Sequence, residues 1–253
     1  MKMKHLLCLA LFCATTFAPA WGQNNPNHPL LANGSSVSDE IINLSNGGYF
    51  NNSAIQFDNR YKSIKGTPFL WDAWSEGRLY LTDSTAVATP LVYKFDGYGN
   101  EIWTKDAAGL ELTLYSHQFW GIDIKHPDGS RWAFRKMVVP GVSDPHRFYR
   151  ILHGGSKFVL FADVHKTIKR ADYQDRGLYT SGSTDDAFED KKTYWLRVAD
   201  QSIQEVSLKK NVLLRALPGG SSARAEAYCK SKGLKGKLSE EEAVGLVEFL
   251  EKG

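Results

Sequence analysis

From Gly66 onward, short runs of β-forming residues recur about every ten to twelve positions, with turn residues between them. That rhythm predicts an antiparallel sandwich or barrel. Segments 78–82 and 91–95 alternate polar and apolar, and Asp96-Gly97 with Gly99-Asn100 then turns the chain into 101–105. Segment 110–114 alternates almost perfectly, and Asp128-Gly129 joins 121–125 to 131–135 as a hairpin. Further strands are expected at 147–152, 157–161, 164–169, 194–198 and 203–208, making roughly ten in all. Residues 171–192, rich in Asp, Ser, Gly and Thr, read as a long exposed loop. Upstream, 41–44 and 55–57 are short strand candidates around Asn46-Gly47-Gly48, and the asparagine-rich 49–53 reads as loop.

The period changes near the C-terminus. Residues 208–217 carry apolar positions at helical spacing and stop at Pro218-Gly219-Gly220; 223–232 predicts a second helix ended by Gly233. The third has the clearest start, because Ser239 with Glu242 three residues on makes a capping box. Ala243, Leu246, Val247 and Leu250 then share one face. The expected fold class is therefore mainly β: an antiparallel sandwich or barrel-like sheet at 61–207, with two or three short helices in a tail at 208–253.

The first 22 residues follow a different logic. Lys2 and Lys4 precede an almost wholly apolar run, 6–17, too short for the roughly 20 residues a membrane span needs. This is the pattern of a cleavable signal peptide, cut after Ala20 or, preferably, after Gly22. Leu7 and Phe12 precede Cys8 and Cys13 where lipoprotein processing needs a small residue, so no lipid anchor is expected. Residues 23–60 read as a flexible leader.

Cleavage changes the composition that matters. It would remove Lys2 and Lys4 from 31 basic residues, leaving 29 against 28 acids, a balance that predicts no nucleic-acid partner. Cys229 would be the one remaining cysteine, so no intramolecular disulfide is expected and the fold must rest on its core. Seven Trp, eleven Tyr and thirteen Phe favour sheet over helix.

Candidate chemistry is sparse. No two histidines lie at i, i+4 on a helix, and His117, Asp123 and His126 form only a loose cluster across a strand and turn. Gly182-Ser183-Thr184 lacks the context of a nucleophile elbow, and Gly97-Tyr98-Gly99 lacks the third glycine of a phosphate loop. Cys229 reads as a half-buried helical thiol, and Lys230, Lys232, Lys235 and Lys237 as solvated helix ends. The sequence thus predicts no catalytic residue, metal ligand or cofactor. Tryptophans 71, 74, 103, 120, 132 and 195 read as core, with a sugar- or peptide-binding platform as the alternative.

Lys65-Gly66-Thr67-Pro68-Phe69-Leu70, Trp74, Gly77 and Leu91-Val92-Tyr93-Lys94-Phe95 occur in that order. Arg147-Phe148-Tyr149-Arg150-Ile151-Leu152 and Lys157-Phe158-Val159-Leu160 follow. This order resembles a family of uncharacterised secreted or periplasmic bacterial proteins with a β-domain and a helical tail. The resemblance covers most of 60–253 and implies no established activity. The expected function is an exported, non-enzymatic binding domain in the periplasm or outside the cell, with an envelope protein or glycan as partner. A secreted glycan hydrolase or a subunit of an envelope assembly is the alternative.

Overall fold

The structure, a computed structural model, describes residues 50–54 and 60–252 apart from 82–85, 87–90, 106–108, 115, 176–179 and 200–201. The expected signal segment 1–22, the strand candidates 41–44 and 55–57 and most of the leader lie outside the described residues.

One antiparallel sheet dominates. Its strands are β1 (Phe50–Ala54), β2 (Ser75–Leu81), β3 (Leu91–Asp96), β4 (Glu101–Lys105), β5 (Glu111–Leu114), β6 (Phe119–Lys125), β7 (Arg131–Lys136) and β8 (Phe148–Gly154). β9 (Phe158–Lys169), β12 (Ala187–Val198) and β13 (Ile203–Val206) complete it, while β10 (Gln174–Asp175) and β11 (Thr180–Ser181) form a separate hairpin. The order is β1-β5-β4-β3-β2-β6-β7-β8-β9-β12-β13, with β1 and β13 as its two ends, so the sheet does not close into a barrel. Most neighbours are consecutive in sequence; the departures are β6, which returns to the free side of β2, β1, which adds beyond β5, and β12, which pairs with β9 past the separate β10–β11 hairpin. Three helices follow: α1 (Lys210–Ala216), α2 (Gly219–Ser231) and α3 (Glu240–Glu251).

The alternation in the sequence sets the faces. Leu79, Leu81, Tyr93, Phe95, Ile122, Ile124, Phe134 and Phe148 all turn to one side of β2–β8 and bury against each other. Further along the sheet, Phe158, Leu160, Leu196 and Val206 meet the apolar faces of the helices, including Leu213, Cys229, Leu246 and Leu250. A smaller cluster of Tyr149, Val159 and Phe161 is roofed by Val139 from the β7–β8 connection. The capping box opens α3 as expected: Ser239 Oγ accepts from Glu242 N at 3.1 Å, and Glu242 Oε2 accepts from Ser239 N at 2.8 Å.

Four expectations need correction. Residues 171–192 are not one long loop, because β12 begins at Ala187 and runs as a ribbon against the full length of β9. Its Glu189 and Asp190 face Lys169 and Lys166, with Lys166 Nζ 2.8 Å from Asp190 Oδ1, so charged cross-strand pairs replace the hydrophobic alternation that normally marks a strand. For the same reason 157–161 and 164–169 are one strand. Residues 49–53 include most of β1, whose pairing with β5 overrides the weak strand propensity of asparagine. Finally, α2 starts at Gly219 rather than 223, since Ser222 N donates to Pro218 O at 2.9 Å and Ser222 Oγ to Leu214 O at 2.8 Å.

Candidate functional site

The Asp128-Gly129 hairpin fixes the register of β6 against β7, with Gly121 opposite Arg135 and Asp123 opposite Ala133. Because Ile122, Ile124 and Phe134 face the core, Gly121, Asp123 and Arg135 face the other way. On β2 the same face carries Tyr80, paired with Gly121, but the next pair is Leu81 with Phe119. This register shift leaves Trp120 without a cross-strand partner on β2. A bulge of this kind extrudes the extra side chain, and Trp120 is 40 % exposed.

These residues lock one another. Tyr80 Oη donates to Asp123 Oδ2 at 2.9 Å, and Arg135 Nη2 lies 2.7 Å from Asp123 Oδ1 as an ion pair. The Arg135 guanidinium stands 4.9 Å from the Tyr80 ring centroid and 4.8 Å from that of Trp120, and Nη1 donates to Phe134 O at 2.8 Å. The two rings meet edge to face at 6.1 Å. Gly121 makes room for this arrangement: a Cβ there would lie 2.6 Å from both Arg135 Cδ and Phe134 O. Burial raises the Tyr80 phenol above its usual range, and its hydrogen bond to Asp123 raises it further, so the ring keeps its proton. The result is a rigid aromatic ledge, half open to solvent, above a buried charge pair.

A second polar cluster lies on the opposite side of the sheet, where α3 docks. Glu240 Oε2 accepts from Arg150 Nη1 at 2.7 Å, while Oε1 accepts from Lys192 Nζ at 2.8 Å and Tyr194 Oη at 2.9 Å. The Arg150 guanidinium also lies 3.7 Å from the Trp132 ring centroid. With every carboxylate oxygen engaged, this cluster seats the helix. A third group pairs Arg147 with Asp163 through two hydrogen bonds of 3.0 and 2.9 Å, with His165 Nδ1 3.3 Å from the same carboxylate.

Within the loose cluster of His117, Asp123 and His126, the two residues whose side chains are described, Asp123 and His126, do not converge. Asp123 is committed to Tyr80 and Arg135, whereas the His126 ring stacks on Trp132 at 4.3 Å, with Nδ1 2.9 Å from Asp128 Oδ1. Among the described residues, no group of three His, Cys, Asp or Glu side chains is placed to hold a metal ion. Cys229 is fully buried, not half-buried, and burial pushes its thiol up. Trp103 fits the core reading at 1 % exposure; Trp120 is the tryptophan that departs from it most. Sequence reasoning missed the ledge because alternation alone does not reveal a bulge, although the hairpin register already placed Gly121 opposite Arg135.

No known protein family, curated protein or solved structure matches this chain.

Proposed function

We propose that this chain is an exported binding domain whose Trp120 ledge receives a glycan. The observation that carries this reading is Trp120 itself, extruded by the β6 bulge and held by Tyr80 and Arg135. A sugar ring presents an apolar face of C–H groups rimmed by hydroxyls. It matches an immobile indole bordered by hydrogen-bonding groups, because stacking covers the apolar face while the rim stays hydrated. A ledge that is already ordered loses little conformational entropy on binding.

The Asp123 carboxylate favours binding over cleavage. Both oxygens of Asp123 are engaged by Arg135 and Tyr80, which leaves neither directed at a glycosidic oxygen. Export to the periplasm or exterior is supported by the apolar segment 6–17 and its flanks, and membership of a secreted bacterial family by the motif order.

Screening the protein against immobilised glycans tests this reading. Retention that disappears in W120A, with the far-UV circular dichroism of the folded sheet unchanged, is the expected result. Equal retention by wild type and W120A, or none by either, overturns it.

A further inference from the structure

Charge is segregated along the helical tail. Between Ser207 and Leu238 the chain carries six lysines and two arginines against the single acid Glu226, while 239–251 carries five acids and no base. The α3 acids at the two helix ends are used on the sheet: Glu240 by Arg150, Lys192 and Tyr194, and Glu251 by the β8–β9 turn. The lysines have no such use. Among the described residues, none of Lys209, Lys210, Lys230, Lys232, Lys235 or Lys237 has a carboxylate within ion-pair distance.

Two of these lysines are opposed by the fold. Lys209 and Lys237 form an antiparallel bridge flanked by Lys210 N donating to Gly236 O at 2.9 Å and Leu238 N donating to Leu208 O at 2.7 Å. Bonds placed on either side make this a non-hydrogen-bonded pair, the closest approach two opposite side chains have in a ladder. Like charges at that spacing repel and weaken the pairing. Gly236, at φ +63°, supports the turn that brings Lys237 back to Lys209.

The same pair borders two adjoining cavities. One, of about 510 Å³, runs to Tyr194 and Leu208 and is also lined by Lys192, by Glu205 and by Glu240, the last already engaged by Lys192 and Tyr194; the other, of about 240 Å³, is walled by Val212 and Gly236. The geometry points to a site for a phosphate-bearing ligand, its phosphate between the Lys209 and Lys237 ammonium groups and its remainder along Tyr194 and Leu208. A phosphate monoester carries up to two charges and can neutralise both lysines, whereas one carboxylate leaves a lysine unmatched. This inference is independent of the Trp120 ledge.

Titration of the ¹⁵N-labelled protein with sn-glycerol 3-phosphate, with inorganic phosphate and with acetate tests it. Saturable shifts confined to residues around 208–212 and 235–239 with both phosphates, and absent with acetate, are expected. K209Q and K237Q should each weaken binding about fivefold, the worth of one solvent-exposed ion contact. K237R should retain it. Each Gln variant should also melt higher than wild type without phosphate, which a lysine with only a structural role would not give. Sedimentation with phosphatidic acid or phosphatidylglycerol vesicles separates the sources: retention on the monoester-bearing phosphatidic acid alone assigns a lipid headgroup, and phosphate binding without retention assigns a soluble ester. No shift with either phosphate, or equal shifts with acetate, overturns the proposal.

Discussion

Glu251, the last residue of α3, accepts the backbone N–H of Lys157 at 3.0 Å, across 94 positions of sequence. The same carboxylate accepts from Ser156 N at 2.8 Å and Phe158 N at 3.1 Å, so one side chain satisfies the β8–β9 turn and pins the helix end to it. Desolvation raises this carboxyl, but the hydrogen bonds from Lys157, Ser156 and Phe158 outweigh it and hold it at about 2. A depressed carboxyl adds stability that is present above its ordinary value near 4.5 and is lost as pH falls from there. E251A should therefore cost about 1.5–3 kcal/mol at neutral pH and less at pH 3, read by urea denaturation at both.

Asp96 has the opposite sign. It is fully buried, and burial pushes its carboxyl from 3.8 up to about 6, against the hydrogen bonds it accepts from Gly99 N and Tyr98 N. A raised carboxyl binds its proton more tightly in the folded state. Its contribution is complete below pH 3.8 and is lost as pH rises through about 6. D96N keeps the acceptor for both N–H groups and removes the charge. Relative to wild type, it should gain about 2–3 kcal/mol between pH 4 and 7, measured as the difference of two pH–stability curves.

How far the sequence anticipated this molecule depends on where burial is one-sided. Strands β2 and β3, expected at 78–82 and 91–95, were legible because burial alternates along them, which writes a period of two, and the hairpin at Asp128-Gly129 was legible from its turn residues. The Ser239 capping box was legible because its two hydrogen bonds are local. The β9–β12 ribbon was not, since residues such as Glu189 and Lys191 are exposed and their pairing with Thr167 and His165 is a tertiary fact. The ledge was only half legible. Tryptophan at 120 and glycine at 121 are visible in the sequence, but the register shift between Tyr80 and Leu81 that extrudes Trp120 depends on how β2 meets β6.

Cys229 lies with Ala225 and Leu246 in the core beneath the helices, and burial holds its thiol protonated. It should not react with a thiol reagent such as dithionitrobenzoate in the native protein, and should react fully in 6 M guanidinium. Non-reducing electrophoresis of native protein lacking residues 1–22 should show no disulfide-linked dimer.

Gly121 tests the ledge without touching its ligand. G121A would force Arg135 away from the Tyr80 and Trp120 rings. It should cost about 1–3 kcal/mol in stability and weaken glycan binding, read by thermal denaturation alongside glycan retention.

The most direct measurement follows the Trp120 indole N–H resonance, assigned by its absence in W120F, while soluble β-1,4-linked glucose and N-acetylglucosamine oligomers are added. A saturable shift of that resonance, with the buried Trp103 resonance unmoved, is the predicted result. A Trp120 resonance that stays fixed while the protein binds glycan at other residues would contradict the account.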